Sequence, residues 1–122
     1  MRILVIDDDA AMRRTVGMIL DSAGYEHVLV ESVPDGLAAA EESRFDVALT
    51  DMNMPGLDGL EAVKAFSQMK PPLVVVAMSG GSAKSSTEDY SVLALRLGAR
   101  AFLGKPFKRA QLIAAIAQAT QA

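Results

Sequence analysis

Polar residues stand where apolar runs stop. Asp7, with Asp8 and Asp9 behind it, ends Ile3-Leu4-Val5-Ile6. Asp51 follows Val47-Ala48-Leu49-Thr50, Ser79 follows Leu73 to Met78, and Lys105 comes one glycine after Ala101-Phe102-Leu103. Short apolar runs of this kind form strands buried on both faces of a sheet. The residues after Asp51 include Pro55, Gly56 and Gly59, which build a tight loop. An acid at the carboxyl end of a buried strand, followed by a shaped loop, is where α/β proteins place working sites. Such an Asp can equally end a strand and solvate a turn; complementary groups brought to the same place would decide between the two.

The elements that must position these residues alternate along the chain. Strands are expected at Ile3–Ile6, Val28–Val30, Asp46–Thr50, Leu73–Met78 and Ala101–Leu103. Helices are expected between and after them. Ala10–Ala23 carries the stripe Met12, Val16, Ile19 and Leu20 and stops at Gly24. Pro34–Ser43 opens on a proline, and Leu57–Met69 is stopped by Pro71-Pro72. Ser86-Thr-Glu-Asp89 fits a capping box and opens a fourth helix running to about Leu97. Phe107 to about Ala119 forms the fifth, with Phe107, Leu112, Ile113 and Ile116 facing inward. Five βα units predict an α/β fold: a five-stranded parallel sheet, doubly wound, in the flavodoxin-like order 2-1-3-4-5. In that order strands 1 and 3 are neighbours, so Asp7 and Asp8 fall beside Asp51.

Three crowded carboxylates repel and require a cation or protonation. Oxygen ligands with no His or Cys nearby favour magnesium over zinc or copper, and magnesium is commonly shared between carboxylates and a phosphate. Strands 4 and 5 bring Ser79 and Lys105 to the same edge. A magnesium ion, a lysine, a hydroxyl and a nucleophilic carboxylate are the equipment for phosphoryl transfer to an aspartate.

Composition narrows the classes further. The 122 residues suit one domain, spanning 1–122, and 51% of them are hydrophobic, enough for a sizeable core. The net charge is −3 with no basic run, which disfavours direct nucleic-acid binding. With no cysteine there is no disulfide, thiol catalysis or zinc–thiolate site. No apolar run approaches a membrane span, and a cytoplasmic location is expected.

Taken together these motifs resemble the response regulator receiver domain of two-component signalling, along essentially the whole chain. The carriers are Val5-Ile-Asp-Asp-Asp9, Asp51-Met-Asn-Met-Pro-Gly-Leu-Asp-Gly59, Met78-Ser-Gly80 and Phe102-Leu-Gly-Lys-Pro-Phe107. Each is weak alone; four in order, each at the end of an expected strand, are specific. The resemblance implies that Asp51 accepts a phosphoryl group from a sensor histidine kinase or phosphotransfer protein, with Mg2+ as cofactor. Asp8 would be the direct metal ligand, Asp7 would act mostly through water, Asp51 would share the ion, and Asn53 would offer its backbone carbonyl. Lys105 would pair with Asp51 at rest and with the phosphoryl oxygen afterwards, across a cis Lys105–Pro106 peptide. Ser79 and Phe102 would form a switch pair that alters the surface of the fourth helix, fifth strand and fifth helix. That surface would receive a downstream protein target or output domain, or a second copy of the chain. The chain ends soon after the fifth helix, so it is either free-standing or the receiver part of a longer protein.

Other residues have plainer roles. Asp9 serves the first helix's N-terminus, Asp58 solvates or caps the third helix, and His27 is a surface residue. Arg13 and Arg14 form a solvated helix face that could also meet a kinase, and Lys84 sits in a serine-rich loop. The stretch from Gly80 to Ser86 is longer than in compact receivers, and Gly81 puts no side chain over the site. Two other functions fit some of these features. A receiver-like interaction module that is never phosphorylated would not need three clustered acids. A haloacid-dehalogenase-like phosphatase shares the Asp7-Asp8-Asp9 pattern but needs acids after its lysine, and none follows Lys105. The expectation is a signalling module, not an enzyme.

Overall fold

The computed structural model describes residues 1–52, 59–79 and 94–121. Its elements are β1 (Arg2–Ile6), α1 (Ala10–Ser22), β2 (Glu26–Val30), α2 (Val33–Glu42), β3 (Val47–Asp51), α3 (Gly59–Ser67) and β4 (Val74–Ser79), followed by β5 (Ala101–Gly104) and α5 (Arg109–Thr120). Residues 94–97 are helical and are labelled α4. The strands form one parallel sheet in the order β2-β1-β3-β4-β5, the order expected from the alternation. The expected capping box Ser86–Asp89, together with Pro55, Gly56, Asp58, Gly80, Gly81 and Lys84, lies outside the described residues.

Strand periodicity divides the core in two. Ile3, Val5, Val47, Leu49, Val76, Met78, Ala101 and Leu103 point to one face, where Val16 and Leu20 of α1 and Leu112, Ala115, Ile116 and Ala119 of α5 cover them. Leu4, Ile6, Ala48, Val75 and Ala77 point to the other, where Val33 of α2 and Ala62, Val63 and Phe66 of α3 meet them. Most of these side chains are fully buried, each contributing roughly 1.5–3 kcal/mol of transfer free energy if it is a Val, Leu, Ile or Phe. On α5 the buried face is completed by Ala115 and Ala119, whereas Ile113 is only half-buried.

Local chemistry sets the element ends. The Asp9 carboxylate caps α1, accepting from the backbone N–H of Ala11 at 2.9 Å, and Ser32 caps α2 by accepting from Asp35 N–H at 3.2 Å. After α1 the chain turns through Gly24 at φ +80, a left-handed conformation suited to glycine. Gly36 serves packing instead: a Cβ there would come 2.5 Å from Ile6 Cδ1, so at this close approach of α2 to β1 any side chain would require Ile6 to move.

Most element ends shift by a residue or two from the sequence expectation, and the shifts in β2, β3 and β4 matter for the site. β3 and β4 each run one residue further, so Asp51 and Ser79 are the last ladder residues and not the first loop residues. β2 also extends back to Glu26, because β1 pairs with it along its full length despite the polar flank. His27 is accordingly not a surface residue. It is half-buried on β2, its ring Nδ1 3.6 Å from Asp21 Oδ1 of α1.

Candidate functional site

The carboxyl edge of the sheet collects the chemistry. Asp7 and Asp51 continue the periodicity of Ile3, Val5, Val47 and Leu49, and Lys105 that of Ala101 and Leu103, so all three fall on the α1/α5 face. β1 and β3 are paired through Ile6 and Thr50, which brings the two strand-end acids side by side. Asp7, Asp8 and Asp51 each offer a carboxylate oxygen within 4.8 Å of the others. Asp7 is fully buried and Asp51 is 3% exposed, while Asp8 lies at the surface.

Lys105 reaches into this cluster. Its Nζ donates to Asp7 Oδ2 at 2.6 Å and stands 3.3 Å from Asp51 Oδ2. The resting partner is therefore shared, with the shorter contact at Asp7 and not at Asp51. The lysine's place is set from behind: its own N–H donates to the Ser79 carbonyl at 2.7 Å, and the Lys105–Pro106 peptide is cis. Burial pushes the Lys105 ammonium toward deprotonation, but its hydrogen bond to Asp7 and the charges of Asp51 and Asp7 outweigh it. The pKa ends above its ordinary value of 10.5.

The turn after β1 is held by several bonds. Asp7 Oδ1 accepts from Asp9 N–H at 2.9 Å, and Asp7 N–H donates to the Val30 carbonyl at 3.1 Å. Arg13 Nη1 donates to the Asp7 carbonyl at 2.7 Å. Arg13 is thus half-buried over the site and does not share the solvated face of Arg14, as the sequence reading expected. Helix side chains tilt toward the N-terminus, so a long cation in the second turn of α1 can reach back to the end of β1, but this holds for Arg14 as well and does not single out Arg13 in the sequence.

Ser79 and Phe102 are on the opposite face. Ser79 is 1% exposed and follows the periodicity of Val75 and Ala77; Phe102 is half-buried and packs against the α2/α3 core. Ala77 is paired with Thr50 on one side and Phe102 on the other, so these three form a row across the sheet. Among the described residues the buried Thr50 hydroxyl finds no hydrogen-bond partner, which sequence reasoning did not anticipate. Asn53 lies outside the described residues.

A model of the response regulator receiver domain matches residues 3–117. The chain belongs to that family. The receiver domain is similar to the transcriptional regulatory protein FixJ of Bradyrhizobium diazoefficiens, 39% identical over 117 residues that make up 96% of this chain and 55% of FixJ. Among solved structures it is similar to a receiver domain protein from Clostridium thermocellum, at TM-score 0.86 and 31% identity over 97% of this chain and 92% of that one. It is also similar to the chemotaxis response regulator CheY4 of Vibrio cholerae, at TM-score 0.82 and 28% identity over 97% of both. The receiver spans about half the length of curated relatives such as FixJ.

The charge and chemistry of the cluster fit a divalent cation. Three carboxylates face one ammonium, leaving two negative charges uncompensated, and every acidic side chain in the cluster is a hard oxygen donor. Among the described residues no helix is long and apolar enough to cross a membrane.

Proposed function

We propose that this receiver accepts a phosphoryl group on Asp51 from a phosphohistidine of a sensor kinase or phosphotransfer protein, with Mg2+ bound at Asp7, Asp8 and Asp51 and at the backbone carbonyl of Asn53. The observation that carries the reading is the convergence of three strand-end carboxylates within 4.8 Å, with Lys105 Nζ between two of them. Magnesium, when bound, supplies charge neutralisation at the phosphoryl oxygens.

The chain's own groups do the rest. An Asp51 carboxylate oxygen attacks phosphorus in line; the P–N bond to the donor imidazole breaks, its electron pair stays on that nitrogen, and an acyl phosphate forms on Asp51. An ammonium 3.3 Å from Asp51 can move onto a phosphoryl oxygen with little travel. Its second partner, Asp7, holds the lysine in the site when Asp51 is modified. The acyl phosphate carries about −1.5 to −2 charges where the Asp51 carboxylate carried one, at a nearly buried position. Ser79, the last residue of β4, turns its hydroxyl toward this new acceptor, and Phe102 follows into the space released. The readout is a changed surface over α4, β5 and α5, which a downstream target, an output domain or a second copy of the chain recognises. The receiver works in the cytoplasm as a signalling module and not as a turnover enzyme.

Intact mass after incubation with magnesium and acetyl phosphate tests the reading. A gain of one phosphoryl mass is expected in the wild type and not in Asp51→Asn or after chelation. The absence of any adduct, with magnesium binding intact, would favour an interaction module that is never phosphorylated.

A further inference from the structure

The exposed acid of the cluster, Asp8, has no side-chain partner among the described residues to hold it. Among the described residues no hydrogen bond reaches the Asp8 carboxylate, whereas Asp7 has Lys105 on one oxygen and Asp9 N–H on the other. The position of Asp8 therefore follows from the peptide that joins it to Asp7. The carbonyl of that peptide is gripped by Arg13 Nη1 at 2.7 Å, a charge-assisted bond reaching six residues back from α1 to the end of β1. Among the described residues it is the only hydrogen bond of the Arg13 side chain, and the residue is half-buried at this spot.

We infer that Arg13 is a positioning residue for the metal: by clamping the Asp7 carbonyl it fixes the Asp7–Asp8 peptide and so aims the Asp8 carboxylate at the ion. This rests on the proposed magnesium reading and extends it to a cation, which at first sight is out of place beside a cation site. Two physical roles predict opposite signs. Acting only through space, a guanidinium beside the cluster repels the ion, and its removal tightens binding. Acting as a clamp, it orders a ligand, and its removal weakens binding, as loss of groups that orient metal ligands typically does by 10–100-fold.

The test is calorimetric titration of the whole chain with MgCl2, well below the unfolding temperature, with thermal unfolding followed in parallel. Arg13→Met keeps the apolar stem and removes the donor; Arg13→Lys keeps a donor and the charge; Arg14→Ala removes a neighbouring exposed charge without touching the clamp. The expected result is magnesium affinity at least tenfold weaker in Arg13→Met, partly recovered in Arg13→Lys, and unchanged or slightly tighter in Arg14→Ala. Unchanged or tighter binding by Arg13→Met overturns the inference and leaves the magnesium reading intact. So does an equal loss in Arg14→Ala. A wild type that binds no magnesium overturns both together.

Discussion

The two faces of the sheet meet at its carboxyl edge and treat burial of polar groups in opposite ways. On the α1/α5 face the buried Asp7 is held three ways: by a lysine, by a backbone N–H and, at its carbonyl, by an arginine. On the α2/α3 face the buried Thr50 hydroxyl, one residue before Asp51, has no hydrogen-bond partner among the described residues. The first face keeps charge in place by over-determining it. The second has a hydroxyl with no hydrogen-bond partner among the described residues, two strands from the half-buried Phe102 in the row Thr50–Ala77–Phe102. The contrast separates what must stay fixed for chemistry from what is cheap to rearrange.

The largest effect should come from removing the charge that holds the first face together. Lys105→Met leaves Asp7 and Asp51 buried without their cation, and breaking a buried pair in this way costs about 3–5 kcal/mol. A fall of that size is expected in urea-unfolding free energy measured with a chelator present. If the loss is below about 1 kcal/mol, the face is not organised by that charge. Magnesium should act in the opposite direction on the wild type. An ion that binds only the folded state at 100 times its dissociation constant adds about 2.7 kcal/mol. Unfolding with and without the ion measures this, and Asp8→Ala should reduce the gain.

A smaller effect, of opposite sign, is expected on the second face. Thr50→Val replaces an unpartnered hydroxyl by a methyl of similar volume, and should raise stability by about 1 kcal/mol. A loss of stability would show that the hydroxyl has a partner in solution, and the contrast between the faces would disappear.

Much of this arrangement was legible from residue order. Apolar runs ending in Asp7, Asp51 and Ser79 locate the strands, and the alternation dictates the 2-1-3-4-5 order that puts Asp7 beside Asp51. Side-chain periodicity also separates Lys105 from Ser79, since they follow opposite faces. What could not be read is how groups on separate elements share partners. That Lys105 lies nearer Asp7 than Asp51 depends on how β5 is registered on β4, where Lys105 N–H bonds the Ser79 carbonyl. Arg13 looks the same as Arg14 in a helical pattern, because both are long cations in the second turn; only the position of α1 over the end of β1 distinguishes them. The half-buried His27 was hidden because β2 is an edge strand with polar neighbours, and its cover comes from α1, which the strand pattern does not show.

The weakest predicted effect is a pH dependence that belongs to the first face alone. Burial lowers the Lys105 pKa, but the hydrogen bond to Asp7 and the two carboxylate charges raise it more, so the folded value lies above 10.5. A cation bound more tightly to its proton when folded stabilises the fold at every pH below its ordinary value. That contribution is lost as pH rises through the higher folded value. The wild type and Lys105→Met should therefore differ by a constant amount from neutral pH to about pH 10, and the gap should narrow above it. Every other titratable group is common to both proteins, so the difference isolates Lys105. A gap that widens with alkalinity would mean that desolvation, and not Asp7 and Asp51, governs this lysine.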